Sequence, residues 1–414
     1  MRIVHIITRL IIGGAQENTL LTCAGLAERG HEVTLISGIQ TGPEGSLWPE
    51  AERLGVRTVP FPLLVRQIAP LTDWRCARQL RKLLAELRPD IVHTHSSKAG
   101  ILGRWAASRT LTPTLSLEGR GSSFDTLSLP GRGQGEGATR SDRPSPNPLP
   151  GAERATPRVV HTIHGMSFNR TQPAAVRAAY RILERRAARW TDAFISVADA
   201  MTEQAVAAGI APRERFTTIY SGMRVEDFAP DPVRRAEVRR QWGVAPDEIV
   251  VGTIARLFRN KGYEAILEAM PRMVEGSEFR VQSSRLRFVW VGDGRHRPQY
   301  LAKLTELGLR ERVQLPGLLR PEEIPKLLTG FDLLLHASLW EGLPRAAVQA
   351  LLTQVAVVTF DLDGAREVVE PGVTGLLVPA GDANGLAEAV IQLAGDPDRR
   401  AAMGRAGRTR VLER

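Results

Sequence analysis

Residues 332–360 read DLLLHASLWEGLPRAAVQALLTQVAVVTF. An apolar run of strand length, residues 332–336, gives way to a loop that carries Glu341 and Gly342. Residues 344–352 then place apolar side chains at helical spacing, with Pro344 at the start, where its missing N–H costs nothing. Residues 355–360 form a second apolar run rich in valine. Strands apolar on both faces are covered on both faces, as in parallel sheets whose strands are joined through helices. The stretch therefore predicts a strand–helix–strand unit.

The same rhythm extends outward. In this half, residues 249–254 and 286–291 read as strands and 263–274 as a helix. In the N-terminal half, strands are predicted over 2–7, 31–37, 56–61, 90–95, 159–163, 193–197 and 216–220, and helices over 15–29, 73–87 and 173–189. Gly30 closes the first of those helices. Two such series predict an α/β protein of two doubly wound domains, residues 1–222 and 223–414, with a polar linker near 223–232. Ligands of such folds bind outside the carboxyl ends of the strands, so a cleft between the two sheets is the expected site.

One segment breaks the rhythm. Residues 110–157 are dominated by Gly, Pro, Ser and Arg and hold no period. Compact domains rarely contain a structureless loop of that length, so the segment reads as a disordered insertion in the first domain.

Composition narrows the function classes. Of 414 residues, 43% are hydrophobic, enough for ordinary cores, and only 5% are aromatic, so Leu, Val, Ile and Ala must fill them. The net charge of +10 favours anionic partners. Arg181, Arg185, Arg186 and Arg189 fit a solvated helix face and a membrane-surface patch equally well. No zinc-finger or aromatic RNA-binding motif accompanies the charge, so nucleic acid is not expected. Cys23 and Cys76 read as buried thiols without a disulfide or metal spacing. The opening strand lacks the features of a signal peptide, and no apolar run reaches membrane-spanning length. A cytoplasmic protein is expected.

Several residues at predicted strand ends suit binding or catalysis. Gly13 and Gly14 sit where the first strand turns into its helix, a place where backbone N–H groups attract phosphate; without a third spaced glycine, a simple tight turn fits as well. Arg256 and Lys261 follow a strand in ARLFRNKGY, where a guanidinium can fork onto a diphosphate and an ammonium can add a point charge. Glu341 can accept hydrogen bonds from sugar hydroxyls, and Gln349, eight residues on, can bond ribose hydroxyls. His164 closes the strand 159–163 and is expected to face the cleft, whereas His161, His93 and His95 read as packing residues. Asp361 and Asp363 have the spacing of a carboxylate metal motif, but a plain loop is the favoured reading.

Together these residues resemble the retaining GT-B glycosyltransferases of family 4. The resemblance rests on Gly13–Gly14, on His164–Gly165, on the Arg256 and Lys261 pair, on the Glu341–Gly342 turn with Gln349 eight positions after Glu341, and on the run DGAREVVEPGVTGLLVP with Gly364 and Glu367. It covers the chain except the insertion. It implies two Rossmann-like domains facing across a cleft and transfer of a sugar, with retention of configuration, from a nucleoside-diphosphate sugar to a glycan or lipid-linked acceptor. The setting would be cell-envelope or exopolysaccharide synthesis, with peripheral contact to an anionic membrane. The implied catalytic residues are His164, Arg256, Lys261 and Glu341. The implied donor contacts are Gly13, Gly14, Arg256, Lys261, Glu341, Gly342, Leu343, Gln349 and Gly364. No metal and no cofactor is implied, the two cations taking the place of a divalent ion at the leaving diphosphate. Three departures stand out: Gln349 in place of a second Glu, the insertion, and a closing helix read as missing or shortened. Alternative readings are a sugar-nucleotide epimerase or phosphorylase on a similar fold, and a sugar-nucleotide-binding protein that has lost catalysis.

Overall fold

In the computed structural model of the chain, the alternating apolar runs resolve into two parallel sheets. The structure describes residues 1–39, 42, 44–110, 156–275 and 286–414; the expected insertion lies outside the described residues except for its ends, Thr110, Thr156 and Pro157. The first sheet is built from β1 (Arg2–Ile7), α1 (Gly14–Glu28), β2 (Glu32–Ser37), α2 (Trp48–Arg53), β3 (Arg57–Pro60), α3 (Pro70–Leu87), β4 (Ile91–His95), α4 (Ser97–Ser108), β5 (Arg158–Ile163), α5 (Ala174–Ala187), β6 (Ala193–Ser196), α6 (Asp199–Ala207) and β7 (Phe216–Thr218). Its strand order is β3-β2-β1-β4-β5-β6-β7.

The second sheet follows: α7 (Pro232–Gln241), β8 (Ile249–Ile254), α8 (Tyr263–Glu275), β9 (Leu286–Val291), α9 (Arg297–Glu306), β10 (Val313–Gly317), α10 (Ile324–Leu328), β11 (Leu333–His336), α11 (Arg345–Leu352), β12 (Ala356–Asp361), α12 (Ala365–Val368), β13 (Gly375–Pro379), α13 (Ala383–Ala394) and α14 (Pro397–Leu412). Its order is β10-β9-β8-β11-β12-β13. The strand order reverses between β1 and β4 in one sheet and between β8 and β11 in the other. At such switch points the loops leaving neighbouring strands run to opposite faces and leave a crevice.

Local chemistry explains the elements. β11 is buried at every residue and β8 at all but its last. Asp231, Asp382 and Asp396 cap α7, α13 and α14, their carboxylates accepting from backbone N–H groups of the first turn. The Asp332 carboxylate ties α7 to the sheet: it accepts from Arg235 Nη2 at 2.6 Å, Arg239 Nη1 at 2.8 Å and Val250 N at 2.8 Å. β8 passes so close to Phe331 that a Cβ at Gly252 would lie 1.9 Å from its ring.

The two halves share apolar packing. One buried cluster runs from Ile163, Val197 and Ala198 on the first sheet to Leu343 and Ala347 on the second. The expected linker is well anchored: Phe228 is buried in that cluster, and its carbonyl accepts from Arg408 of α14 at 2.6 Å. Near the end of α14, Arg414 bonds the Glu367 carbonyl and the Tyr220 hydroxyl. Both thiols are fully buried, and burial pushes that of Cys76 up to about 12. No helix among the described residues is long and apolar enough to cross a membrane.

Candidate active site

The site starts from one glycine. Gly262 adopts φ +74°, and a Cβ there would lie 1.7 Å from the Ala337 carbonyl oxygen. Only glycine lets the loop after β8 press onto the loop after β11 in this way. The contact sets Lys261 against the 338–341 segment. Lys261 Nζ donates to Glu341 Oε1 at 2.6 Å and to Ser338 Oγ at 3.3 Å. His336, the last residue of β11, has Nε2 3.2 Å from the same Glu341 oxygen, although the angle falls short of a hydrogen bond. Burial alone would raise the Glu341 carboxyl; the Lys261 ammonium, helped by His336, instead holds it far below the usual carboxylate range.

A second carboxylate orients this loop. Asp363, in the left-handed region at φ +52°, accepts from Glu341 N at 2.8 Å and from Gln204 Nε2 of α6 at 2.9 Å. Asp361 is paired with Arg366. The two aspartates thus have separate structural partners.

Arg256 lies across the cleft mouth. Its guanidinium stacks on Phe258 and approaches Glu44 of the first half at 3.7 Å, and Arg9 approaches the same carboxylate at 3.4 Å. Burial lowers the Arg256 pKa, partly offset by Glu44, but a guanidinium remains a cation. Arg256 and Lys261 therefore bracket the turn that leads into the N-terminus of α8, an arrangement suited to an anionic diphosphate.

The first half closes over this loop. A Cβ on Gly342 would lie 2.2 Å from the His164 carbonyl oxygen, and one on Gly364 would lie 2.5 Å from the Gly342 carbonyl oxygen. Gly364 N also donates to that carbonyl at 3.1 Å, and Leu343 is buried in the shared core. His164, Gly342 and Gly364 thus form one stack of backbone. Glu367 crosses between the halves: its carboxylate accepts from Asp199 N at 2.7 Å and Ala200 N at 2.9 Å, capping the N-terminus of α6.

The other expected donor contacts have neighbours of their own. Gly14 opens α1 and abuts Arg345, which bonds Glu17 at 3.1 Å and the Gly222 carbonyl at 3.0 Å. Gly13 abuts Gln16. Gln349 lines a crevice with Glu17, Arg53, Met223, Asp227 and Arg345. His336, Ser338 and Glu44 were not singled out in the sequence, and Asp363 was read only as part of a loop pair with Asp361. His336 carried a usable signal, its place at a strand's carboxyl end; Ser338, Glu44 and the bracing role of Asp363 depend on contacts between distant loops.

The histidines read as packing residues are buried but also hydrogen-bonded. His5 Nδ1 lies 2.9 Å from His95 Nε2, and His95 Nδ1 lies 3.0 Å from His164 Nε2. His93 pairs with the Thr162 hydroxyl at 2.7 Å and His161 with that of Thr94 at 2.9 Å. His5, His93 and His95 each bring one ring nitrogen within 4.8 Å of the others, the spacing a metal ion would need. Both nitrogens of His95 and Nε2 of His93 already have partners.

The chain resembles known proteins along most of its length. Residues 234–410 match the model for glycosyl transferases group 1, and residues 13–131 and 146–222 match that for a glycosyl transferase 4-like domain. A UDP-Gal:alpha-D-GlcNAc-diphosphoundecaprenol alpha-1,3-galactosyltransferase of Escherichia coli is 26% identical over 398 residues, 96% of this chain and 88% of that enzyme. A GDP-mannose-dependent alpha-(1-6)-phosphatidylinositol monomannoside mannosyltransferase of Mycolicibacterium smegmatis is 29% identical over 62% of this chain and 66% of its own. Among solved structures, Anabaena Alr3699/HepE in complex with UDP and glucose superposes with a TM-score of 0.75 at 20% identity, covering 100% of this chain and 95% of that one. WaaG, a glycosyltransferase involved in lipopolysaccharide biosynthesis, gives a TM-score of 0.70 at 15% identity over 100% and 95%.

Proposed function

The chain belongs to the GT-B glycosyltransferases and acts on nucleotide sugars, and from that premise we propose that it transfers a sugar to a lipid-linked or glycan acceptor with retention of configuration, in cell-envelope polysaccharide synthesis. The observation that carries the donor half is the Arg256 and Lys261 pair bracketing the turn into α8, with Glu341 held by Lys261. As the sugar bond breaks, negative charge grows on the leaving diphosphate, and two fixed cations and a helix N-terminus stabilise it. That is the task a divalent ion performs elsewhere, so the reaction as proposed needs no metal. Lys261 also neutralises Glu341, which suits that carboxylate to accept hydrogen bonds from sugar hydroxyls rather than to attack the anomeric carbon. Retention then follows from attack by the acceptor on the leaving-group face, with the departing phosphate taking the acceptor proton.

The acceptor half is supported by the relative that acts on a diphosphoundecaprenol-linked sugar and by the surface of the first half. Leu71 and Trp74 of α3 are 80% and 56% exposed beside Arg75 and Arg78, and α5 exposes Val176, Ile182 and Leu183 among its arginines. Apolar side chains rimmed by arginine suit the headgroup layer of an anionic bilayer.

Thermal-shift screening of nucleoside-diphosphate sugars, followed by a radiolabel transfer assay with the stabilising donor, tests this reading. Each cation bonded to phosphate is worth about 1.5–3 kcal/mol, so an Arg256→Ala, Lys261→Ala double variant should lose at least about 100-fold in donor affinity. A full panel of donors without any stabilisation would overturn it. Sedimentation with phosphatidylglycerol vesicles, compared with neutral vesicles, tests the membrane contact.

A further inference from the structure

A row of imidazoles stands behind His164 with no task in the reaction as described. His5 of β1, His95 of β4 and His164 after β5 come from three adjacent parallel strands, each two residues beyond the register partner of the one before and on the same face, and they meet ring to ring. His5 and His95 are 0% and 1% exposed, and His164 is partly exposed. Burial, first, and the neighbouring imidazoles, second, push all three well below their ordinary pKa, His164 to about 3. At neutral pH each ring therefore carries one proton, on one of its two nitrogens.

Two bonds between three neutral rings allow only two proton arrangements. In the first, every ring is protonated on Nδ1: His5 donates to His95, His95 donates to His164, and His164 keeps an N–H on its outer nitrogen. In the second, every ring is protonated on Nε2, the donation runs inward, and His164 is left with an outer lone pair. The buried end of the row decides between them. His5 Nε2 is enclosed and has no partner among the described residues. The second arrangement would strand an N–H there, and orphaned buried N–H groups are rarer than under-satisfied acceptors. The first leaves only a lone pair.

We propose that His5 and His95 are positioning residues that lock His164 in its Nδ1–H tautomer, so that its outer nitrogen can only donate a hydrogen bond. A donor-only imidazole at this point recognises an acceptor oxygen, such as the lone pair of a sugar hydroxyl. It cannot act as a general base, because its one lone pair is held by His95. The use made of the lock rests on the glycosyltransferase reading; the lock itself does not.

Long-range 1H–15N correlation spectra of the full chain labelled with 15N-histidine, at pH 7.5, read the tautomers directly. The expected result is Nδ1 protonation at His5, His95 and His164. Free histidine in water favours the Nε2–H form, so the signature is distinctive. Nε2 protonation at His164 would overturn the proposal, whether or not any sugar is transferred. His95→Ala admits a water that can donate or accept, and should return His164 to a mixture of tautomers with at least a tenfold loss of kcat/KM. His95→Asn, whose amide nitrogen stands where Nδ1 stood, should restore the tautomer and most of the activity. An unchanged kcat/KM in His95→Ala, with a native spectrum showing the lock, would overturn its role in catalysis. Should the variants fail to fold, the native spectrum alone still decides the tautomer.

Discussion

Lowering the pH from 7 to 5 should destabilise the first half of the molecule selectively. Five of the six histidines in that half, His5, His93, His95, His161 and His164, are held neutral, and burial is the largest cause in each. The charged groups beside them are Arg104, whose own partner is Glu184 at 2.6 Å, next to His161, and Arg345 next to His164; both oppose protonation. In the unfolded chain the same rings titrate near 6.5. Between the two values the unfolded state binds more protons, so the stability they contribute is complete above about pH 6.5 and is lost as the pH falls towards the folded pKa. For His93, folded at about 4, the loss from pH 7 to pH 5 is about 2 kcal/mol. His164, at about 3, adds a similar amount, giving about 4 kcal/mol from these two rings. The other three lie well below 6.5 and raise the total further, against a typical domain stability of about 5–15 kcal/mol. Carboxylates do not mask the effect: Glu341 is depressed and starts to lose its contribution only below about 4.5. Urea unfolding followed by circular dichroism should show the first transition moving down by about 2 M or more between pH 7 and pH 5, taking a slope of about 2 kcal/mol per molar. Hydrogen exchange should place that loss in β1, β4 and β5 and spare β8 and β11. A first transition that moves by less than about 0.5 M over this range would refute the reasoning.

Three substitutions test the packing and the site. Gly262→Ala forces a side chain into the left-handed region and against the Ala337 carbonyl; at about 1–3 kcal/mol of strain, differential scanning fluorimetry should show a melting point lower by about 3–10 °C, with donor binding weakened as Lys261 moves. Asp332→Ala removes the shared partner of Arg235, Arg239 and Val250 N; about 3–5 kcal/mol should be lost, read as a lower urea midpoint for the second half. Glu341→Gln keeps the shape but removes the charge from Lys261 and His336; the transfer rate should fall by about 10–100-fold. A rate within about twofold of native would mean that Glu341 does not touch the substrate.

The strands were legible because parallel strands buried on both faces stand out as short apolar runs. The predicted strand at 355–360 is offset from the observed Ala356–Asp361 by one residue. The helix expected over 173–189 ends at Ala187, and a tighter turn takes residues 188–190. α2 and α6 were not read; α2 spans only 6 residues, too few for a helical period to emerge. Part of the run 363–379, which carries the resemblance through Gly364 and Glu367, is the edge strand β13. In the site, Lys261 and Glu341 were legible because each follows a strand's carboxyl end. What joins them was not. The Gly262 contact with Ala337, the Asp363 brace and the His5–His95–His164 row arise between segments distant along the chain, or from a backbone conformation, and one chain read in order carries no period for such meetings.

The carboxylate of Glu367 on the first turn of α6 has a consequence for turnover. In the closed cleft it takes the place that solvent would hold at that helix end. Any opening there must hand two N–H groups and a carboxylate back to water. Separating the halves at this point would therefore respond to water activity and ionic strength, because the group exchanged for solvent is charged.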